Sequence, residues 1–364
     1  MSRSAIAILS TENLLHNLNV IKNHVGSAKI IAMIKANAYG HGIRTVASKL
    51  DGLVDLLGVA SIDEAIALRK HGVRSPIILM QGVFESNELL LASVEHFHVV
   101  FNNFQQLEWL DKIILPRALH AWIKIDTGMG RLGFDLDQAY SVYERLMNHR
   151  SLIKPIHVMS HFSAADIIDH PLNQEQIERF KNFTMLIESS GSQLSLCNSA
   201  AIFNFPQCHY HYVRPGLALY GVSPLQGRCA EDLGLKPVMS LQTSLISVRT
   251  FKKGSLIGYG GRYSCPQDMP IGIIAFGYGD GYPITARDGT PILVNGIKCS
   301  LVGRVSMDMI AVDLRACPTA GIGDPVVLWG EDLPIEHITP FTSNISWDIL
   351  TGVQHRVKFL WTRI

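Results

Sequence analysis

The sequence predicts a (β/α)8 barrel followed by a mostly-β domain, and two features of the chain support this fold class. Between residues 28 and 222, eight short apolar runs alternate with segments of helical pattern, as strands alternate with helices in a parallel barrel. After Leu235, apolar and polar residues alternate singly, which is typical of strands with one buried face. A doubly wound open sheet is the alternative architecture for the first segment. The eight runs are 30–34, 56–60, 77–80, 97–101, 121–125, 156–159, 194–197 and 212–213.

Two of the helices between these runs have signals of their own. Ser61 is followed three residues later by Glu64, a capping box that predicts the start of a helix. A later helix is predicted by apolar residues that recur at the spacing of one helical face. They are Ile177, Phe180, Thr184 and Ile187.

The β-rich part is predicted from alternation and from one turn. Met239, Leu241 and Leu245 alternate with polar neighbours, and Thr243 continues the same face. Asn295-Gly296 separates two apolar runs and predicts a two-residue hairpin turn. We therefore expect a barrel domain over 10–228, a linker within 226–235, and a β-rich domain over 235–364 that includes the N-terminal residues 1–9.

Composition excludes several classes of function. Net charge is +1, with 32 Lys+Arg against 31 Asp+Glu, so we expect no nucleic-acid partner. We expect no membrane helix, since no apolar stretch approaches the ~20 residues that one needs, and the N-terminal apolar run is too short for a signal peptide. The six cysteines form no CxxC pair. This pattern is typical of reduced thiols in a cytoplasmic protein without structural zinc.

Lys35 is the first candidate for chemistry. It follows an apolar run and precedes a series of small residues and glycines, so its amine is expected to lie at the end of a buried strand. A half-desolvated amine there suits an imine with an aldehyde cofactor. The alternative is a solvated lysine before a glycine turn.

Further cationic groups occur at the ends of other predicted strands, where a barrel carries its active site. The fifth run carries Lys124 near its end and leads to Arg131, while His161 follows the sixth run and Arg214 the eighth. Two lysines, two arginines and a histidine on one face suit a phosphorylated, electron-withdrawing cofactor. A metal site at His157 and His161 is excluded, since i and i+4 on a strand lie ~13 Å apart.

Several motifs, in order and along essentially the whole chain, resemble the alanine racemases. The motifs are Lys35-Ala36-Asn37-Ala38-Tyr39-Gly40-His41-Gly42, residues 126–133, Asn198-Ser199-Ala200, Arg214-Pro215-Gly216 and Gly303-Arg304-Val305-Ser306-Met307-Asp308. The resemblance implies a pyridoxal-phosphate (PLP) enzyme, with a barrel and a β domain, that interconverts L-alanine and D-alanine. It also implies a homodimer with shared active sites, and a role in supplying D-alanine for peptidoglycan or in degrading it.

The resemblance also implies two opposed bases. Lys35 would hold the cofactor and act on one face of the substrate Cα, while Tyr259, supplied by the other subunit, would act on the opposite face. Two such groups are needed because one base tends to return the proton to the side it came from.

Other roles are carried over in the same way. Arg214 would face the pyridine nitrogen, Arg131 would bind the phenolic oxygen, and His161 would support the network around Arg214. The remaining cofactor residues, at or near the phosphate, would be Tyr39, Asn198, Ser199, Gly216 and Leu217. The substrate would meet Arg131, Tyr278, Met307 and Asp308, and Lys124 would carry a carbamate that orients Arg131.

Two positions depart from the family pattern. Ile284 stands where many members have arginine, and His355 where some have a tyrosine on the phosphate.

Three alternative functions are compared with this one. A broad-specificity amino-acid racemase is the nearest alternative function. A PLP-dependent basic amino-acid decarboxylase is disfavoured by Arg214, since those enzymes face the ring nitrogen with an acid. A PLP carrier would resemble the barrel alone.

Overall fold

Eight parallel strands close into a barrel, and this confirms the first part of the predicted fold class. The computed structural model describes residues 4–362, and the barrel belongs to a unit made of residues 18–219 and 224–227. Strand β1 (Ile6–Leu9) lies in the other unit. The barrel strands are β2 (Lys29–Met33), β3 (Leu56–Val59), β4 (Ile77–Leu79), β5 (His98–Phe101), β6 (Leu119–Lys124), β7 (Leu152–Met159), β8 (Leu194–Asn198) and β9 (Tyr212–Arg214). Each contains most or all of one predicted run.

Helices connect the strands as expected for a (β/α)8 barrel. The α-helices of the described chain are Thr11–Val25, Ile43–Leu50, Ile62–Lys70, Ser86–Val94, Phe104–Lys112, Leu136–Asn148, Pro171–Met185, Ser199–Asn204 and Ser346–Thr351. The short 3-10 helices are Glu188–Ser190, Pro206–Cys208, Leu217–Tyr220, Glu231–Leu233, Tyr259–Gly261, Tyr278–Asp280, Ile335–His337 and Thr339–Phe341. None of the helices within residues 4–362 is both long and apolar enough to cross a membrane.

Side chains fill the interior of the barrel. A buried cluster is contributed by β2 to β7 and by β9: Ile31, Met33, Leu56, Ile78, Val100, Trp122, Met159 and Tyr212. A filled barrel has no pore, and barrels of this kind carry their active sites at the carboxyl ends of the strands.

The predicted capping box is half correct. Ser61 is the N-cap of helix Ile62–Lys70, but its side chain makes no capping hydrogen bond. Glu64 instead accepts the Ala60 N–H on Oε2, at 2.8 Å. The helix start is confirmed, and the hydroxyl part of its cap was wrong.

The predicted buried face of helix Pro171–Met185 is only partly correct. Phe180 is buried, whereas Ile177 and Thr184 are half-buried, and Ile187 lies beyond the end of the helix. Asn173 and Gln176 occupy the buried face with Phe180 and Phe183. They are there because their amides bind loop carbonyls: Asn173 Nδ2 donates to Ile167 O at 2.8 Å and Gln176 Nε2 to His161 O at 2.9 Å.

The other unit is built on strands, as predicted. Among described residues it comprises 4–17, 220–223 and 228–362; residues 1–3 and 363–364 of the predicted β-rich domain lie outside the described chain. Its further strands are β10 (Met239–Phe251), β11 (Leu256–Ile257), β12 (Tyr263–Ser264), β13 (Met269–Ile274), β14 (Pro291–Val294), β15 (Ile297–Val302), β16 (Ile310–Asp313), β17 (Pro325–Trp329) and β18 (Lys358–Trp361).

Six of these strands pair in a closed ring. The order is β13-β16-β15-β14-β17-β10, and β10 pairs back to β13. β1 pairs with β10 and with β18, so it extends the sheet beside the ring. The alternation in β10 and the Asn295-Gly296 hairpin are confirmed: Val294 pairs with Ile297, and both turn residues have positive φ.

Acid is expected to destabilise the barrel unit through His98, which begins β5. Trp122 Nε1 donates to His98 Nδ1 at 3.3 Å, so the ring must be neutral at that nitrogen. Burial, with His120 and His157, lowers the pKa of His98 from 6.5 to about 3. Below pH 6.5 this histidine is therefore protonated in the unfolded chain but not in the folded chain. Its contribution lowers the free energy of unfolding by about 1.4 kcal/mol per pH unit as pH drops toward 3.

Urea unfolding followed by tryptophan fluorescence at pH 7 and pH 5 measures this effect. His98→Gln keeps an acceptor for Trp122 and should show a smaller loss between the two pH values than the wild type. The exposed His71→Gln should retain the wild-type loss. Equal pH dependence in all three proteins would contradict the assignment to His98.

Candidate active site

Four cationic side chains meet at the carboxyl ends of the barrel strands. Lys35 lies two residues beyond the end of β2. Lys124 and Arg214 are the last residues of β6 and β9, and Arg131 lies in the loop after β6. Burial lowers the pKa of Lys35, with Arg131 and Arg214 lowering it further. Burial also lowers the pKa of Lys124 to about 8, with contributions from Arg214, Arg131 and Lys35. The sequence prediction that these groups converge is thus consistent with their mutual electrostatic effect.

Arg214 is held by the neighbouring strand β8 and by the residue that follows β7. Its Nη1 donates to Ser195 Oγ at 2.5 Å, and its Nη2 donates to Leu196 O at 3.1 Å and to Ser160 O. Burial lowers the pKa of Arg214 to about 10, which leaves the guanidinium charged at neutral pH. Both Nη atoms are therefore used within the protein, which fixes the orientation of the guanidinium.

His161 lies against this guanidinium. Its Nδ1 is 3.2 Å from Arg214 Nη2. Burial and then Arg214 lower the pKa of His161 well below 6.5, so the ring is neutral. A neutral acceptor beside Arg214 orients the arginine without cancelling its charge.

A candidate anion cradle lies at the carboxyl ends of β8 and β9. Ser199 Oγ accepts the Gly216 N–H at 2.8 Å and the Ala218 N–H at 3.4 Å. Asn198 Oδ1 accepts the Ala201 N–H at 3.0 Å and so begins the short helix that carries Ser199. Leu217, next in the chain after Gly216, is buried. Hydroxyl and backbone N–H groups in this arrangement suit a phosphate.

Tyr39 packs directly on Gly216. A Cβ placed on Gly216 would lie 2.4 Å from Tyr39 Oη, which only glycine avoids. Burial raises the pKa of Tyr39 to about 12, so its phenol keeps its proton and can donate. The structure therefore places Tyr39 beside Gly216, one of the residues with which the family resemblance groups it near the phosphate.

The segment Lys35–Tyr39 is a left-handed turn that the sequence did not predict. Ala36, Asn37, Ala38 and Tyr39 all have φ between 52° and 55°. A non-glycine residue pays roughly 1–2 kcal/mol for this conformation. Asn37 is the one residue of the four for which it is common, and its Oδ1 accepts the Ile43 N–H at 2.9 Å.

The loop that carries Arg131 is wrapped around a carboxylate. Asp126 accepts the N–H groups of Gly128, Met129 and Gly130 at 2.8 to 2.9 Å. Arg131 itself is exposed. Asp126 thus shapes the loop, and it also raises the pKa of Lys124 slightly against the surrounding cations.

The remaining predicted residues lie in the other unit. Tyr278 N–H donates to Ser306 O at 3.0 Å, and Gly279 N–H donates to Met307 O at 2.8 Å, so Tyr278 and Met307 are neighbours. Tyr259 is 70 % exposed on a turn between glycines. The departures Ile284 and His355 are both exposed.

Asp308 has a partner that sequence reasoning missed. Arg356 bonds Asp308 and, through Nε at 2.6 Å, the fully buried Asp280. Ser195, Ser160 and Glu64 were also missed as supports of the candidate site. Isolated serines and glutamates carry no distinguishing sequence pattern, because their partners are remote in the chain.

Comparison with known proteins agrees with this arrangement. Residues 9–224 match the family model "Alanine racemase, N-terminal domain" and residues 238–361 match "Alanine racemase, C-terminal domain". The chain is 43 % identical over 355 residues to an alanine racemase of Aeromonas hydrophila, covering 98 % of each chain.

Solved structures give the same result. The biosynthetic alanine racemase of Pseudomonas aeruginosa matches with a TM-score of 0.95 and 38 % identity, covering 99 % of this chain and 100 % of the other. An alanine racemase from Bartonella henselae, described with covalently bound pyridoxal phosphate, matches with a TM-score of 0.87 and 27 % identity, covering 99 % of both. The family resemblance read from the sequence is confirmed: the chain belongs to the alanine racemase family.

Proposed function

We propose that this chain interconverts L-alanine and D-alanine with pyridoxal phosphate, using Lys35 and Tyr259 as opposed acid/base groups. The observation that carries the proposal is the cluster of cations at the strand ends, in which Lys35 has a lowered pKa beside Arg131 and Arg214. The lowered pKa favours a neutral, nucleophilic amine. Family membership supports the reaction and the cofactor.

The residues present fit pyridoxal phosphate. Ser199 and the Gly216 backbone, with Tyr39, suit its phosphate, and Lys35 its aldehyde carbon. Arg214, a charged and buried group at the end of β9, suits the pyridine nitrogen. The cofactor, when bound, supplies an electron-withdrawing ring that stabilises negative charge at the substrate Cα.

The protein's own groups then determine the outcome. Arg214 keeps its proton, so it disfavours protonation of the ring nitrogen and leaves the ring a weaker electron sink, which suits proton exchange over longer-lived carbanion chemistry. Lys35 takes or returns the Cα proton on one face. Tyr259 does so on the opposite face, and Arg131 and the Met307 backbone bind the substrate carboxylate. Tyr278 lines the entrance, and Met307 and Asp308 reach the site from the other subunit.

We also propose that the active enzyme is a homodimer. Tyr259 is 70 % exposed, and exposed Ile284, Met307 and Met309 lie in the same unit. A second copy of the chain that covers these residues would bury them and bring its Tyr259 to the Lys35 of its partner. None of the six cysteines forms a disulfide in the described chain, which supports a cytoplasmic location. The biosynthetic name of the Pseudomonas aeruginosa relative supports supply of D-alanine for peptidoglycan.

Proton NMR in D2O with the purified protein and added pyridoxal phosphate tests the function. We expect loss of the Cα proton signal of L-alanine, with D-alanine confirmed on a chiral column. Comparable exchange of serine or lysine would favour the broad-specificity alternative. An amine product from lysine would favour the decarboxylase, and no reaction of any amino acid would refute the proposal.

A substitution at Gly216 is expected to weaken cofactor binding. In Gly216→Ala the new Cβ displaces the Tyr39 hydroxyl from the cradle, since the two atoms would lie 2.4 Å apart. Loss of one hydrogen bond to a charged phosphate lowers affinity by roughly tenfold or more. Fluorescence titration with pyridoxal phosphate measures it. Gly321→Ala, where a Cβ meets no atom within 4 Å, is the control and should bind as the wild type does.

Lys124 is expected to carry a carbamate. Its pKa of about 8 leaves much of the amine neutral at that pH, and a carbamate would place a negative charge among three cations. We expect a carbamate signal in 13C NMR with labelled bicarbonate, absent in Lys124→Ala and weakening below pH 8. Lys154→Ala should keep the signal, although burial also lowers the pKa of Lys154 to about 8, since no such cluster surrounds it. A bare ammonium at Lys124 would refute the carbamate.

A further inference from the structure

The strained turn next to Lys35 is tied down by a side chain from another barrel segment. Glu64 lies in the first turn of helix Ile62–Lys70 and is half-buried. Its Oε1 accepts the Ala36 N–H at 2.9 Å, while its Oε2 accepts the Ala60 N–H at 2.8 Å. One carboxylate thus joins a helix start to the residue that immediately follows the candidate cofactor lysine.

The same helix position in the next two barrel segments shows what is unusual about Glu64. Glu88 Oε2 accepts the Phe84 N–H at 2.7 Å, and Gln106 Oε1 accepts the Asn102 N–H at 2.9 Å. All three side chains cap the N–H four residues before them. Glu64 alone among the three also binds the left-handed turn. Its second oxygen accepts the Ala36 N–H, a contact that capping does not require.

Glu64 also affects the Lys35 amine electrostatically. Arg131 and Arg214 lower the pKa of Lys35, and Lys124 and the neutral His161 lie in the same cluster, whereas Glu64 raises the pKa of Lys35. The carboxylate therefore opposes the surrounding cations at the lysine while it holds the backbone beside it.

We propose that Glu64 is a positioning residue for Lys35, acting through its tether to the Ala36 N–H and through its charge. The inference rests on the proposed role of Lys35 as the cofactor lysine. A conformation that costs energy at four successive residues persists only when its surroundings hold it. Glu64 supplies one such restraint at Ala36, the residue that follows Lys35 in the chain.

The test compares Glu64→Gln with Glu88→Gln in the full-length protein. Gln106 shows that an amide can cap this helix position, so Glu64→Gln should keep the Ala60 contact and fold. It loses the charge and the second acceptor. Hydrogen–deuterium exchange of the holoenzyme should become faster at the amides of 35–40 in Glu64→Gln and not in Glu88→Gln.

The second readout is the pH dependence of pyridoxal phosphate uptake by the full chain after removal of bound cofactor. Without Glu64 the pKa of Lys35 falls, so the profile of Glu64→Gln should move to lower pH, and affinity should drop by about tenfold through loss of a charged hydrogen bond. Glu64→Asp keeps the charge but is one methylene shorter; it should retain the wild-type pH profile with fast amide exchange.

The outcomes separate the two proposals. If Glu64→Gln and Glu88→Gln have the same amide exchange and the same pH profile, Glu64 is only a helix cap and the inference is wrong, while the proposed function stands. If the wild type takes up no pyridoxal phosphate at Lys35, the proposed function is wrong and the role of Glu64 falls with it.

Discussion

Replacing Lys35 with alanine is expected to reduce alanine racemisation by at least about 10⁴-fold. The variant loses both the amine that attaches the cofactor and one of the two proton-transfer groups. Lys124, the other lysine beside these arginines, lies at the end of a different strand. Chiral chromatography of the product and visible absorbance of the protein-bound cofactor measure the two losses separately.

Lys29→Ala is the matched control, because Lys29 begins the strand β2 that Lys35 follows. It is exposed at the opposite end of the barrel, where its Nζ lies 5.3 Å from the centre of the Tyr212 ring. We expect near wild-type racemisation from it. Activity of Lys35→Ala within tenfold of the wild type would show that another group performs the chemistry.

Replacing Tyr259 with phenylalanine is expected to separate proton exchange from racemisation. Racemisation should fall by about 10²- to 10⁴-fold, the usual contribution of a general acid/base group. Lys35 remains, so one enantiomer of alanine should still exchange its Cα proton with D2O and keep its configuration. NMR of L-alanine and D-alanine incubated separately with the variant measures exchange for each enantiomer.

Tyr263→Phe is the control for this variant. Tyr263 lies four residues away in β12, is half-buried, and donates to Met269 Sδ at 3.8 Å. It should racemise alanine as the wild type does. Equal loss of exchange for both enantiomers in Tyr259→Phe would assign Tyr259 to cofactor or substrate binding rather than to one face of the reaction.

The strands and the strand-end cations could be predicted because both depend on short-range pattern. An apolar run followed by Lys35, Lys124 or Arg214 defines a strand and its polar end within a few residues. The carboxyl ends of parallel strands then share one face of a barrel. The fold class and the grouping of the cations follow from that alone.

Features that depend on remote partners could not be predicted. The left-handed turn after Lys35 contains no glycine at its four central positions, and its tether Glu64 is 28 residues away. Asn173 and Gln176 lie on a buried helix face because they bind loop carbonyls, which a hydrophobic pattern does not reveal. The pairing of Arg356 with Asp280 spans 76 residues.

The pairing of β1 with β18 has a consequence for the order of events during synthesis. Ile6 is opposite Lys358, and β1 also pairs with β10, so the sheet of the β-rich unit joins segments from distant parts of the chain. The barrel strands all lie between residues 29 and 214 and can assemble while the ribosome still holds the rest. β1 is synthesised before all of them, but its partner β18 is synthesised last among the strands described. The β-rich unit therefore completes its sheet only after β18 has left the ribosome, so the part of the protein that carries Tyr259 matures after the part that carries Lys35.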